Sequence, residues 1–118
     1  MVPNGNVILM QPVPAKGDDC HLPATAVCWL TDEPQPGLIL VELTDVRGRP
    51  YQLVGKVSYF DDGSDLTPDA TYPRPVVVAC TIDDVHHDIA TVSTGWLSDR
   101  HGEPFVFDVP LTVLKPIG

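Results

Sequence analysis

The sequence is poor in basic residues, with 7 Lys and Arg against 16 Asp and Glu and a formal net charge of −9 at pH 7. Proteins that bind nucleic acid need clustered Lys and Arg to neutralise phosphates, and anionic membranes attract basic segments. We therefore expect neither a nucleic-acid partner nor a membrane partner. A basic protein is the electrostatically natural partner, although an acidic surface also serves solubility alone.

Cysteine is scarce and long hydrophobic runs are absent. Cys20, Cys28 and Cys80 are an odd number without the spacing of a disulfide framework or a zinc motif. No run approaches the length that spans a membrane, and the apolar residues 7–10 are too few for a signal peptide. We expect free thiols in a reducing, cytoplasmic setting.

Helical periodicity and catalytic motifs are also missing. The apolar runs are rich in Val, Ile, Thr and Tyr, and 13 Pro and 9 Gly lie between them as turn residues. Neither a glycine-rich phosphate loop nor a nucleophile-elbow serine is present. We therefore predict one all-β domain over residues 1–118, interpreted as non-enzymatic and without a cofactor.

Residues 38–57 predict the β-hairpin around which the chain is organised. Residues 45–48, DVRG, suit a type I turn followed by glycine at positive φ. Pairing Asp45 with Arg49 then fixes the register of both strands. On one face it opposes Leu43 to Tyr51, Val41 to Leu53 and Ile39 to Gly55; on the other, Glu42 to Gln52, Leu40 to Val54 and Leu38 to Lys56. The first face is apolar and is predicted to pack on the core.

The turn sequence recurs 54 positions later, where LSDRHGEPF at residues 97–105 resembles LTDVRGRPY at residues 43–51. Either the segment is duplicated or two tight turns independently need the same residues. We predict an arm (1–23), a three-stranded meander (24–57), an acidic linker loop (58–75) and a second three-stranded meander (76–114). Six or seven antiparallel strands then form a small barrel or a sandwich, and closure into a barrel removes exposed edges.

Residues 76–82, VVVACTI, form the most apolar strand. Such a strand at an exposed edge would invite pairing between molecules, so we expect it in the centre of the sheet or in a homodimer interface. One register opposes Cys80 to Val92, across a turn at residues 83–88. Residues 7–10 and 111–114 are candidates for further short strands. Trp29 and Trp96 are interpreted as core anchors rather than ligand platforms.

The acidic linker loop is the first choice for a binding surface, because a loop of this length in a compact domain is usually functional or mobile. Its carboxylates are Asp61, Asp62, Asp65 and Asp69. They lack the spacing of an EF-hand calcium loop. Arg47 and His101 occupy matching positions at the two hairpin tips, so they are either recognition residues or solvated turn residues.

A weaker candidate is the loop that contains Asp84, His86, His87 and Asp88. Imidazole and carboxylate are ligands of zinc and similar ions, and His21 or His101 would complete the shell. Adjacent strand residues point to opposite faces, so the two histidines share a metal only if the loop bends. The alternative is a polar solvated turn. Cys80 is interpreted as a buried small residue rather than a nucleophile.

These features favour a non-enzymatic, acidic protein-interaction module, for example a toxin-neutralising immunity protein or an adaptor in a larger assembly. Two alternatives stay open. One is a metal-binding module or metal-dependent enzyme that uses residues 84–88. The other is a small-molecule binder in the interior of the barrel, which a pocket of several hundred cubic ångströms between the strands would favour.

Overall fold

The computed structural model describes residues 13–60, 66–98 and 101–117. Its strands are β1 (Asp19–Thr31), β2 (Leu38–Thr44), β3 (Pro50–Lys56), β4 (Arg74–His86), β5 (Ile89–Ser98), β6 (Pro104–Pro110) and β7 (Lys115–Pro116). Short 3-10 turns follow β3 at Val57–Tyr59 and β6 at Leu111–Val113. None of the described residues form a helix that would reach across a lipid bilayer.

The strands form a nearly closed antiparallel barrel, which confirms the predicted small all-β barrel built from two three-stranded meanders. The sheet order is β3-β2-β1-β4-β5-β6, and β7 pairs with β1. The order is symmetric: β1, β2 and β3 correspond to β4, β5 and β6, and the antiparallel pair β1–β4 lies at the centre. The second meander therefore runs opposite to the first, and the turns after β2 and β5 lie at opposite ends of the barrel.

The β2–β3 hairpin has the predicted register at every pair from Leu38–Lys56 to Thr44–Pro50. Its turn is closed by the Gly48 amide, which donates a 3.0 Å hydrogen bond to the Asp45 carbonyl, and Gly48 has a φ of +81°. Alternation along β2 then places Ile39, Val41 and Leu43 in the core. The hairpin follows directly from its local turn residues.

The second hairpin repeats this turn in its described part. Ser98 pairs with Pro104, 54 positions after the pair Thr44–Pro50, and Gly102 has a φ of +82°. Away from the turn, the β5–β6 register shifts between Ser93 and Ser98. The Thr94 hydroxyl occupies this irregularity: it donates to the Leu97 carbonyl at 2.6 Å and accepts from the Phe105 amide at 3.1 Å. The buried Thr94 side chain thus supplies hydrogen bonds to backbone groups that would pair with each other's strand in a regular β5–β6 ladder.

The apolar strand 76–82 lies in β4 between β1 and β5, as the prediction of a central position requires. The predicted register of Cys80 opposite Val92 is wrong, because Cys80 pairs with Thr94 and Ile82 pairs with Val92. Strand β4 continues to His86, and its register shifts by one residue between Ile82 and Asp84. The turn therefore shrinks to residues 87–88, where His87 has a φ of +59°.

Both ends of the described chain differ from the sequence prediction. Strand β1 begins at Asp19, within the segment predicted as an arm, and Cys20 and Leu22 are buried in the core. Pro23 stays within the strand and pairs with Val77. Residues 111–113 form a 3-10 turn rather than a strand, and only Lys115–Pro116 pairs with β1. The predicted strand at residues 7–10 lies outside the described residues.

The interior is filled by side chains that alternate inward from each strand. Ile39, Leu53, Ile82 and Val92 are each at most 1% exposed, as is Phe60, which follows the 3-10 turn after β3. Trp29 is half-buried against the core cluster, and its indole donates a 2.9 Å hydrogen bond to the Asp32 carboxylate. The side chain of Trp96 lies outside the described part of the structure, so its role as a core anchor stays a prediction. The described side chains along the barrel axis therefore form a packed core.

Candidate functional site

Asp45 is a buried carboxylate at the tip of the β2–β3 hairpin. One oxygen accepts 2.9 Å hydrogen bonds from the amides of Arg47 and Arg49, and the other accepts from Arg49 Nε at 3.0 Å and the Tyr51 hydroxyl at 3.2 Å. Burial by itself would raise the pKa of Asp45, but the amides of Arg49 and Arg47 and the Arg49 guanidinium hold that pKa below its usual value. Asp45 is a fixed structural anion.

Arg47 and His101 are both exposed, as expected of hairpin tips. They do not form a common site, because the turn after β2 and the turn after β5 lie at opposite ends of the barrel. The cause is the antiparallel pairing of β1 with β4, which makes the second meander run opposite to the first. A role in recognition for Arg47 or for His101, each at its own end of the barrel, stays a prediction.

The acidic linker loop is described only in part. Asp69 is exposed, whereas Asp61, Asp62 and Asp65 lie outside the described residues. On either side of that gap, Phe60 and Leu66 are buried in the core. The Tyr72 hydroxyl donates a 2.7 Å hydrogen bond to the Thr67 carbonyl. The described residues of the loop are thus anchored to the barrel, and its role in binding stays a prediction.

The histidine loop bends, because His87 adopts a positive φ. The His86 and His87 rings consequently meet, with centroids 4.3 Å apart and planes at 63°. His101 cannot complete a shell with them, since its turn lies at the other end of the barrel. Within the ranges that the structure describes, no three His, Cys, Asp or Glu side chains are grouped to hold a metal ion.

A surface that the sequence did not reveal lies on the outside of β1, β4, β5 and β6. Three carboxylates there each accept a hydrogen bond from a hydroxyl on the neighbouring strand. The pairs are Thr81 Oγ1 to Asp19 Oδ1 at 2.9 Å, Ser93 Oγ to Asp83 Oδ1 at 3.1 Å and Thr91 Oγ1 to Asp108 Oδ1 at 2.7 Å. We call Asp19, Asp83 and Asp108 the acidic face. Alternation of side chains along each strand shows which residues point outward, but the register between strands is needed to show that these three aspartates lie on one surface.

The hydroxyl donors orient the three carboxylates without neutralising them, because a hydroxyl carries no charge. Of the three, Asp108 also interacts electrostatically with the Arg49 guanidinium. Asp19 and Asp83 are exposed and Asp108 is half-buried. Asp84 and Asp88 are exposed near the same end of the barrel, at the end of β4 and in the turn after it. Oriented like charges on rigid strands produce a negative potential that attracts cationic partners.

A cleft of about 400 Å³ opens where β1 and β2 diverge. Toward the start of β1, the last residue pair between β1 and β2 is Thr25–Glu42. Closer to the start of β1, the same edge pairs with β7 at Cys20 and His21. The cleft is lined by residues 22–25 of β1, residues 42–44 of β2, and Asp45, Pro110 and Val113. A second cleft of about 310 Å³ lies beside Asp19 and Thr81 and reaches Cys80. Both volumes fall in the range of small-ligand sites.

Comparison with protein-family models, with curated proteins and with solved structures returned no match. The functional argument therefore depends on the geometry of the acidic face and of the two clefts.

Proposed function

We propose that the protein is a non-enzymatic interaction module that binds a basic protein through the acidic face. The observation that carries this proposal is the set of three carboxylates, each oriented by a hydroxyl from an adjacent strand. The net charge of −9 supports it. A toxin-neutralising immunity protein and an adaptor within a larger assembly are two forms that such a module takes.

The rigidity of the acidic face favours recognition of a protein. Its side chains stand on paired strands and are already oriented, so binding has little ordering entropy to overcome. Complementary charge accelerates association and discriminates against acidic competitors. The same charge repels phosphate backbones, which is why a nucleic-acid partner is not proposed.

The test is affinity capture from a lysate of the source cells with variants of matched charge. Asp83→Asn with Asp108→Asn keeps an oxygen that accepts the Ser93 and Thr91 hydroxyl hydrogens, but removes two charges. The control, Asp32→Asn with Glu33→Gln, removes two charges from the exposed loop between β1 and β2, at the opposite end. We expect the wild type and the control to retain a basic protein that the face variant loses.

Salt distinguishes this interaction from an apolar one, since exposed charges are screened as ionic strength rises. Retention should weaken steeply between low and high salt for the wild type. Equal capture by the face variant, or absence of any specific protein at low salt, would contradict the proposal.

The cleft between β1 and β2 favours a small-molecule binder as the second candidate function. This function is supported by the volume of the cleft, about 400 Å³, and by its lining, which includes the core side chains Leu22 and Leu43. Thr25→Trp places an indole in the cleft from an exposed position. Ligand-observed NMR with a fragment mixture should show binders for the wild type that this variant no longer binds; identical spectra for both proteins would exclude the cleft.

A further inference from the structure

Cys20 and Cys80 are direct partners across the β1–β4 pair. Both point into the core, where Cys20 is 0% exposed and Cys80 is 4% exposed. Both are free thiols in the structure. Their neighbours in the same row are the uncharged Thr94 on β5 and Pro116 on β7. Two thiols thus stand face to face at the junction of the two meanders.

Their placement suits a covalent bond. Directly opposed residues of antiparallel strands have Cα atoms about 4.5–5.5 Å apart, and disulfides span Cα separations of about 4.4–6.8 Å. Cys28 lies further along β1 and pairs with Leu40 on β2, away from β4. We propose that Cys20 and Cys80 form an intramolecular disulfide when the protein is exposed to a low-molecular-weight disulfide such as oxidised glutathione.

The exchange occurs in two steps that balance. Cys80 is 4% exposed and Cys20 is 0% exposed, so the Cys80 thiolate attacks the reagent first, forms a mixed disulfide and expels one small thiolate, which takes up a proton. The Cys20 thiolate then attacks the Cys80 sulfur and expels the second small thiolate. The two protein thiols lose two protons and two electrons, and the reagent disulfide is reduced to two thiols.

The surroundings of the pair make this reaction slow at neutral pH. Burial raises the pKa of the Cys80 thiol to about 12, and the neighbouring Cys20 thiol and the carboxylates of Asp19 and Asp83 act in the same direction. Burial also raises the pKa of Cys20, as do Asp18 and Asp19. Because the thiolate is the nucleophile, the rate of bond formation should rise with pH.

The bond would join the first meander to the second, because β1 belongs to one and β4 to the other. It closes a loop between residues 20 and 80, which restricts the unfolded chain far more than the folded one. We expect the Tm of the oxidised protein to exceed that of the reduced protein by about 10 °C.

The experiment uses the full chain with Cys28→Ser, because the tryptic peptide 17–47 contains both Cys20 and Cys28. The folded protein is incubated with excess oxidised glutathione at mildly alkaline pH. Intact mass should fall by two hydrogen atoms, and digestion without reduction should yield peptide 17–47 linked to peptide 57–100. The rise in Tm should appear in parallel and disappear on reduction.

Cys20→Ser and Cys80→Ser, each added to Cys28→Ser, are the matched controls and should give no linked peptide. The Tm measurement on the Cys28→Ser protein does not depend on these core variants being folded. Two free thiols after prolonged exposure, or glutathione adducts without a linked peptide, would each overturn the proposal.

Discussion

The backbone amide of Val46 donates a 2.8 Å hydrogen bond to the carbonyl of Asp108. This bond connects the tip of the β2–β3 hairpin to β6, although β3 and β6 are the two ends of the sheet order. Nearby, the rings of Tyr51 and Phe107 meet edge to face with centroids 4.9 Å apart. The barrel thus approaches closure at this point, and contacts of side chains and turns protect strand edges that would otherwise be open to pairing.

Replacement of Asp45 by Asn should destabilise the hairpin. The amide nitrogen of Asn is a donor only, so it can accept neither the Arg49 Nε hydrogen nor the Tyr51 hydroxyl hydrogen that one carboxylate oxygen now accepts. We expect the Tm, followed by circular dichroism, to fall by roughly 5–10 °C. Glu33→Gln in an exposed loop is the control and should leave the Tm within about 2 °C. An unchanged Tm for Asp45→Asn would show that the network contributes nothing to stability.

The same carboxylate predicts a pH dependence. The pKa of Asp45 is lower in the folded protein than in the unfolded chain, so its stabilisation is complete above the unfolded value, near pH 4. As pH falls from there through the folded pKa, the unfolded chain takes up the proton first and the stabilisation is lost. Urea unfolding of the wild type and Asp45→Asn should therefore converge in acid and differ by a constant amount above about pH 5. Parallel pH curves would contradict this assignment.

Gly55→Ala should destabilise the barrel through crowding. A Cβ there would lie 2.7 Å from Leu97 Cδ2 and 3.2 Å from the Phe60 ring. We expect a loss of about 1–3 kcal/mol in the free energy of unfolding. The cost should shrink when Leu97→Ala is also present, because that change removes the nearest atom, and a double-mutant cycle measures the difference. Simple additivity would mean that the two residues do not compete for space.

Thr94→Val should lower the free energy of unfolding by about 1–3 kcal/mol. Valine has the shape of threonine, but it can neither donate to the Leu97 carbonyl nor accept from the Phe105 amide. Thr25→Val on an exposed position is the control and should change stability by less than about 0.5 kcal/mol. Equal stability of the two variants in urea would indicate that water satisfies both backbone groups.

The fold could be predicted where register depends on local residues. Asp45 and Gly48 determine the β2–β3 register alone, and every predicted pair of that hairpin is confirmed. A glycine usually marks the position of positive φ in a tight turn. In the turn between β4 and β5 that position is occupied by His87, so no glycine indicates the turn. The additional residue between Ile82 and Asp84 then shifts the ladder by one. The sequence pattern of β4 does not indicate where this bulge occurs.

The candidate site could not be predicted because it depends on distant pairs. Asp19 and its hydroxyl partner Thr81 are 62 residues apart, and only the β1–β4 register brings them together. The sequence indicated an excess of acids and directed attention to the linker loop, where acids are adjacent in the chain. The opposite placement of Arg47 and His101 likewise depends on the antiparallel β1–β4 pair, which no local residue pattern indicates.

The symmetric strand order has a consequence for how such a barrel arises. Two separate copies of a three-stranded half, related by a dyad, would meet through their first strands in the antiparallel manner in which β1 meets β4. The β1–β4 pair within this single polypeptide thus lies where the interface between two such subunits would lie.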